Sequence, residues 1–252
     1  MTKKSSSIQV IDRMAKLLDA ISRYDDSASL KFLSADTDLH PATAHRILAS
    51  LIEQGFVERN ETGYYRLGYK LMELGCGVNS RLDVKEEALE ILQNLRDELG
   101  ETANLTIRKG DQVVYVERAI ANRIMRVEQV IGSHAPLHVT AVGKLMLANE
   151  GEKSIDAYVK RTGLPGFTKN TLTKIEPFKA ELKTAFKQGY TFDNEEAEIG
   201  VGCIGVLVRN SSGKIVAGLS VSAPIERRQD DWIPIVVEAA DKLSTRLGYR
   251  KK

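Results

Sequence analysis

Residues 39–67, LHPATAHRILASLIEQGFVERNETGYYRL, combine a helical stripe with β-prone runs and decide the fold of the first part of the chain. The stripe predicts a helix over residues 42–54. Pro41 suits its first position, where a missing N–H costs nothing, and Gly55 suits the left-handed position after its last turn. The sequence therefore marks both ends of this helix.

A β-hairpin is predicted directly after that helix, because residues 56–59 and 64–67 are β-prone and flank a Gly-containing turn. Upstream, apolar residues at helical spacing predict helices over residues 8–22 and 29–37. Three helices followed by a hairpin is the order of a winged helix-turn-helix, which we assign to residues 1–68.

The predicted third helix has an apolar face that must pack on the first two helices, formed by Ala44, Ile47, Leu48 and Leu51. Its opposite arc is small, polar or cationic, which suits entry into the major groove of DNA. The alternative is an ordinary solvated helix, and bulk charge does not decide, since residues 1–80 hold ten Lys or Arg and ten Asp or Glu. The predicted DNA-contacting residues of the arc and the wing are Ala42, Thr43, His45, Arg46, Ser50, Arg59, Tyr64 and Arg66.

An amphipathic helix is predicted over residues 83–99, within linker helices assigned to residues 69–100. Two surfaces could pack on its apolar stripe: the body of the following domain, or the same helix of a partner subunit. The predicted partner surface consists of the stripe residues Val84, Ile91, Leu95 and Leu99.

Residues 101–252 alternate hairpin and helix signals, which predicts an α+β domain with an antiparallel sheet flanked by helices. Strands are predicted over 103–107, 113–118, 123–130, 204–209 and 214–222, and helices over 140–149, 154–160, 175–187 and 232–247.

Composition is that of a globular protein, with 252 residues, 42% hydrophobic and 28% charged. No apolar run approaches the roughly 18 residues of a membrane span. The opening MTKKSSSIQV lacks the apolar run of a signal peptide. Cys76 and Cys203 lie far apart and form no CxxC pair, so a cytoplasmic protein with reduced thiols is expected.

Three long motifs resemble those of the IclR family of bacterial transcription regulators, and the likeness covers nearly the whole chain. They are LHPATAHRILASLIEQGFVERNETGYYRLGYKLMELG, PLHVTAVGKLMLA and GYTFDNEEAEIGVGCIGVLVRNSSGKIVAGLSVSAP. The resemblance implies a GAF-like effector domain over residues 101–252, assembly as a homodimer or homotetramer, and a response to small carbon-source metabolites. A pseudo-palindromic double-stranded DNA operator and a small organic-acid effector are the expected partners, with no membrane and no cofactor.

The resemblance also implies which residues line the effector pocket. We expect the ligand carboxylate at the free N–H groups of Ala141 and Val142, where a helix begins. Asp193 would then face a ligand hydroxyl or be held by a base such as Arg126, because like charges repel. The full predicted set is Thr140, Ala141, Val142, Asp193, Val201, Cys203, Ser220 and Ser222.

Two departures from the family pattern carry expectations. His40-Pro41-Ala42 stands where relatives commonly have Lys-Ser, which removes a phosphate-seeking lysine and predicts altered operator contacts. Gly202 and Gly205 stand where relatives have larger residues, which predicts a roomier pocket and a larger ligand.

An enzyme is not expected. Cys203 lacks the strand-to-helix elbow of a nucleophile, and no oxyanion glycine motif stands beside it. His134 and His138 have the spacing of metal ligands on a helix, but Pro136 lies between them, so no metal site is predicted. A purely architectural DNA-binding protein would leave the second domain unexplained.

Overall fold

The computed structural model describes residues 8–24, 28–79 and 83–251, and only the backbone of residues 76–79. The chain divides into two units, Met1–Arg81 and Leu82–Lys252. The first seven residues, part of the stretch that we compared with a signal peptide, and the side chain of Cys76 lie outside the described part. The predicted boundaries at residues 68 and 100 stay predictions.

The first unit contains three helices, a hairpin and a further helix. These are α1 (Gln9–Arg23), α2 (Leu30–Thr37), α3 (Pro41–Glu53), β1 (Val57–Arg59), β2 (Tyr65–Leu67) and α4 (Tyr69–Asn79). The order is that of a winged helix-turn-helix, as predicted.

Local chemistry fixes the turn between α2 and α3. Ser29 Oγ caps α2 by accepting a hydrogen bond from Phe32 N at 3.2 Å. Asp38 ends α2 in the left-handed region, at φ 53°. His40 Nδ1 then caps α3 by accepting from Ala42 N at 3.3 Å, while Gly55 follows α3 at φ 75°. The helix therefore begins and ends where Pro41 and Gly55 predicted.

The core of the first unit is small and apolar. Leu17 of α1, Leu33 of α2, Leu48 of α3 and Tyr65 of β2 are almost fully buried in it. Leu48 shares the predicted inner face of α3 with Ala44 and Leu51, also buried. The periodicity of α3 was therefore a correct guide to its orientation.

The second unit combines one sheet with helices on both faces. Its elements are α5 (Val84–Leu99), β3 (Thr102–Lys109), β4 (Gln112–Ala119), β5 (His134–Pro136), α6 (Ala141–Ala148), α7 (Glu152–Thr162), α8 (Ile175–Gln188), β6 (Tyr190–Asn194), β7 (Val201–Arg209), β8 (Ile215–Pro224) and α9 (Trp232–Arg246). Within the described residues, six antiparallel strands pair in the order β5-β4-β3-β8-β7-β6. This is the predicted α+β class.

The two faces of this sheet differ in chemistry. One face is apolar and packs on α5 and α9, with Leu105, Ile204, Val206 and Leu219 at its centre. The other face carries polar side chains on the same strands and packs on α6. Alternation along each strand places the two sets on opposite sides.

The predicted strand over residues 123–130 is wrong, because residues 120–133 form an irregular segment. Its backbone carbonyls pair with arginines instead of a neighbouring strand: Arg118 donates to Gln129 O, and Arg227 Nη2 donates to Met125 O at 2.9 Å. Strand β4 pairs with the short β5 in its place. The alternation of apolar and polar residues in this segment is weak and does not by itself specify a strand.

The stripe of α5 is covered by its own domain. Ile91 and Leu95 are at most 5% exposed, and Val84 and Leu99 pack at the border of the same core. Because this stripe contacts the sheet and α9, it is not available to a partner subunit. The predicted dimer surface on α5 is therefore wrong.

Candidate DNA-reading surface and effector cavity

The outward arc of α3 is solvent-exposed. Ala42, His45, Arg46 and Ser50 are exposed and Thr43 is half-buried. Among the described residues, Arg46 has no hydrogen bond or ion pair, so its guanidinium is available to a base edge or a phosphate. Small neighbours such as Ala42 and Ala49 leave room for close approach to a groove.

The wing engages its own cations. Arg59 stacks over the Tyr65 ring at 5.5 Å, and its Nε donates to Gly63 O at 3.1 Å. Arg66 forms an ion pair with Glu58 at 2.8 Å. Tyr64, at 39% exposure, points its ring into solvent. Both wing arginines thus have partners within the wing, which leaves fewer free positive charges for DNA than the sequence suggested.

In the second unit, α6 starts directly against the polar face of the sheet. Thr140 Oγ1 accepts from Gly143 N at 3.2 Å and caps the helix, while the N–H groups of Ala141 and Val142 have no partner among the described residues. Gly205 in the facing strand permits this approach, since a Cβ there would lie 2.7 Å from Val142 N. Backbone donors at a helix start form an anion site.

A small cavity of about 20 Å³ lies between this helix start and the sheet. That volume has room for about one water molecule, so a metabolite requires the site to open. The cavity is lined by Thr106, Val113, Tyr115, Thr140, Ala141, Val142, Asp193, Cys203 and Ser220.

Two rows of mostly polar residues cross the strands in register, and three of their members, Asp193, Cys203 and Ser220, line the cavity. One row runs through Asp193, Cys203, Ser222 and Thr102. The next runs through Thr191, Gly205, Ser220 and Asn104. Strand register alone therefore brings together residues that are more than a hundred positions apart in sequence.

Most of the predicted effector residues surround this one cavity, namely Thr140, Ala141, Val142, Asp193, Cys203 and Ser220. Ser222 lies behind Cys203, with Oγ and Sγ 3.1 Å apart. Val201 lies at the start of β7 and does not line the cavity. The set as a binding site stays a prediction.

Sequence reasoning missed Thr106 of β3 and Val113 and Tyr115 of β4, which also line the cavity. The signal was present in β3, where Thr102, Asn104 and Thr106 alternate with apolar residues, an unusual polar set for a buried strand. These side chains are at most 2% exposed.

Burial shifts the pKa values of the ionisable groups that line the cavity. It raises the pKa of Asp193 to about 7, with the nearby Glu196 carboxylate adding to the effect. Burial also raises the pKa of the Cys203 thiol to about 12, which keeps it protonated and unreactive. The pKa of Tyr115 is raised for the same reason. Cys203 and Tyr115 are therefore neutral near pH 7, and Asp193 is about half protonated there.

Asp193 is held by backbone donors and not by Arg126. Its Oδ1 accepts from Glu196 N at 2.7 Å, whereas Arg126 pairs with Glu128. The fully buried Lys144 of α6 binds Glu196 and contacts Glu181 at 3.4 Å, so it neutralises the neighbouring carboxylates. The expectation that Arg126 holds Asp193 is therefore wrong.

The two pocket glycines do not enlarge the cavity. A Cβ at Gly202 would lie 2.6 Å from Ile225 Cδ1, and one at Gly205 would meet the start of α6. Neighbouring atoms thus take up the space, and the prediction of a roomier pocket is wrong.

His138 is a structural residue. Its ring nitrogens lie 2.9 Å from Tyr158 Oη and 3.0 Å from Pro165 O, so both are engaged. Burial lowers the pKa of His138, which favours the neutral ring. No group of three or more His, Cys, Asp or Glu side chains in the described part of the chain is arranged to hold a metal ion. No described helix is long and apolar enough to cross a bilayer.

Comparison with known families follows this division of the chain. Residues 10–61 match the IclR helix-turn-helix domain, and residues 76–247 match the family described as bacterial transcriptional regulator IclR, C-terminal. The chain belongs to the IclR family. It is a DNA-binding transcriptional regulator with an effector-binding domain, and not an enzyme.

Relatives match the IclR chain over almost its full length. It is 32% identical over 247 residues to the HTH-type transcriptional regulator XynR of Escherichia coli K12, covering 96% of this chain and 98% of XynR. A putative IclR regulator from Silicibacter sp. TM1040 has a TM-score of 0.88 at 24% identity, covering 96% and 97% of the two chains. An IclR homologue from Microbacterium hydrocarbonoxydans, solved with 4-hydroxybenzoate, has a TM-score of 0.61 at 23% identity, covering 94% and 98%.

Proposed function

We propose that α3 makes the sequence-specific contacts to a pseudo-palindromic operator and that the cavity beneath α6 binds a small organic acid that changes operator affinity. The observation that carries the first half is the exposed, uncharged-to-cationic arc of α3 with Arg46 at its centre. An arginine in the major groove contacts guanine or phosphate. The protein would act in the cytoplasm, where operator DNA is accessible.

The second half rests on the chemistry of the cavity. The uncapped N–H groups of Ala141 and Val142 suit a carboxylate, and the hydroxyl of Ser220 has no hydrogen bond among the described residues. Asp193, largely protonated below pH 7, can donate a hydrogen bond to that carboxylate instead of repelling it. The acid bound by the Microbacterium homologue belongs to the same chemical class.

DNA binding is tested with an operator obtained by selection from random duplexes. Arg46→Ala should weaken binding by roughly 1–3 kcal/mol at fixed salt. Lys187→Ala is the matched control, because it removes one exposed cation from α8 in the second unit. Circular dichroism checks folding, and equal affinities of wild type and Arg46→Ala would contradict the role of α3.

Effector control is tested on the same operator. The double change Ser220→Ala and Ser222→Ala should abolish the response of operator affinity to the cognate acid without changing apo affinity. Ser211→Ala, in the exposed turn between β7 and β8, is the control. An unchanged response midpoint in the double variant would place the pocket elsewhere.

A further inference from the structure

Two amide side chains, one fully buried and one half-buried, lie next to Ser222 and were not among the predicted residues. Asn104 of β3 is fully buried and pairs in register with Ser220, which lines the cavity. Gln129 comes from the irregular segment 120–133. Both amides reach the same hydroxyl: Asn104 Nδ2 and Gln129 Nε2 donate to Ser222 Oγ at 3.2 and 3.5 Å.

The carbonyl oxygens of these two amides are left over. Asn104 Oδ1 and Gln129 Oε1 are buried and have no hydrogen-bond partner in the described structure. Ser222 Oγ accepts from both amide groups and lies 3.1 Å from Cys203 Sγ, so it donates to neither amide oxygen. Buried amide oxygens are nearly always paired in native proteins. Two unpaired oxygens on amides that share Ser222 as a partner indicate a place where a ligand donor belongs.

We propose that Asn104 and Gln129 form a subsite that accepts a hydrogen bond from a hydroxyl group of the effector, so that the effector is a hydroxy acid. This inference rests on the proposed function, because the helix start of α6 takes the carboxylate. A hydroxyl both donates and accepts, so it satisfies an amide in either orientation of its O and N atoms. A keto or a carboxylate oxygen only accepts.

An ammonium donor is disfavoured by the surroundings. A buried cation requires an anionic partner, and the Ser222 hydroxyl and the Cys203 thiol beside the two amides are neutral. The Glu128 carboxylate, next to Gln129 in the chain, is already paired with Arg118 and Arg126.

The two binding ends are also well separated. Asn104, Ser220 and Gly205 occupy three adjacent strands, which places Asn104 about 9–10 Å from Gly205, the residue that contacts the start of α6. The hydroxyl should therefore be remote from the carboxylate.

The first test needs no ligand. Asn104→Leu removes an unpaired buried oxygen at nearly constant volume, so the melting temperature of the second unit should rise by roughly 2–4 °C. Trp232, the single tryptophan, reports that transition from α9. Asn149→Leu is the matched control, since its amide donates to Leu145 O and accepts from Arg209, and its melting temperature should fall. A fall in both variants would mean that Asn104 is a structural amide, satisfied by buried water, and would overturn the proposal.

The second test measures selectivity by calorimetry with two matched pairs, 4-hydroxybenzoate with benzoate and 3-hydroxybutyrate with butyrate. The full-length wild type should bind the hydroxy member of at least one pair roughly tenfold or more tightly than its partner. Asn104→Leu should bring that ratio close to one, and Gln129→Leu should reduce it. Equal affinities within each pair for the wild type, or no binding of any hydroxy acid, would overturn the subsite. Operator binding by the wild type, measured separately, shows whether the proposed function itself fails.

Discussion

Asp193 is an acid that the fold keeps about half protonated at neutral pH. It is 3% exposed, its Oδ1 accepts two backbone N–H groups, and the single buried lysine of the neighbourhood in the described structure binds Glu196 instead. Desolvation therefore outweighs the favourable hydrogen bonds, and the pKa rises to about 7. Protonated Asp193 would stabilise the carboxylate of the proposed effector, whereas its ionisation in the empty cavity costs free energy.

Stability should consequently fall with rising pH through the Asp193 titration. Between about pH 4 and pH 7 the folded state holds a proton that the unfolded chain has released, so each step upward in pH favours unfolding. The full penalty, reached above pH 7, is about 4 kcal/mol for a shift of about three units. The Asp193→Asn variant has no titrating group at this position, so its stability should not show this loss.

Urea unfolding followed by Trp232 fluorescence measures this difference from pH 4.5 to 8. The free energy of unfolding of the wild type should fall relative to that of Asp193→Asn as the pH rises from 4.5 to about 7. Above pH 7 the difference between the two proteins should approach a constant value. Parallel curves over the whole range would show that Asp193 ionises normally.

At the scale of elements, local signals were sufficient for the first unit and insufficient for the second. Pro41, Gly55 and the spacing of Ala44 and Leu48 defined α3 correctly, because caps and amphipathic periodicity act within a few residues. The stripe of α5 was equally clear, but a stripe does not say which surface covers it. Its cover comes from β3, β4 and α9, and α9 lies about 140 residues further along the chain.

The cavity shows the same limit. Thr140 to Val142 and the residues of β7 and β8 were found through long motifs, whereas Asn104, Thr106 and Tyr115 join them only through strand register. Register depends on long-range pairing that one sequence does not state. The tight packing of Gly205 on α6 was likewise invisible before the helix was in place.

The burial of the α5 stripe leads to a test that distinguishes packing within the domain from packing against a partner subunit. Leu92 is fully buried in the core of the second unit, so Leu92→Ala should destabilise that unit by roughly 2–5 kcal/mol. The molar mass from light scattering should stay unchanged at temperatures where the variant is folded. Glu90→Ala, on the exposed side of α5, is the control with little effect expected.

Loss of assembly without loss of stability in Leu92→Ala would restore α5 as a subunit contact.

At the scale of the whole molecule, the first unit has apolar side chains that its own core does not bury. Ile8, Val10 and Ile11 of the α1 region are 52–64% exposed, and Tyr69 and Met72 of α4 are 62–69% exposed. Exposed apolar residues concentrated on two helices are typical of a contact surface. One winged helix also contacts few bases, and two half-sites about one helical turn apart require a two-fold dimer. We therefore expect subunits to meet through α1 and α4.

Light scattering at micromolar concentration should give a mass two or four times that of the chain. Val10→Lys with Ile11→Lys should lower that mass and weaken operator binding, because charges would be buried at the contact. Phe186→Lys, on an equally exposed site of α8, is the control. A monomeric wild type would contradict assembly, and an unaffected double variant would exclude α1 from the contact.

The two-faced sheet has a consequence for how such regulators diverge. Along β7 and β8, Cys203 and Ser220 face the polar side of the sheet, whereas their neighbours Ile204 and Val221 face the apolar core. Consecutive codons therefore specify residues on opposite faces. A substitution on the polar side can therefore alter the cavity without disturbing the apolar core. If the cavity binds the effector as proposed, duplicated genes can acquire new inducers through single substitutions at every second position, while the lineage keeps an inherited scaffold.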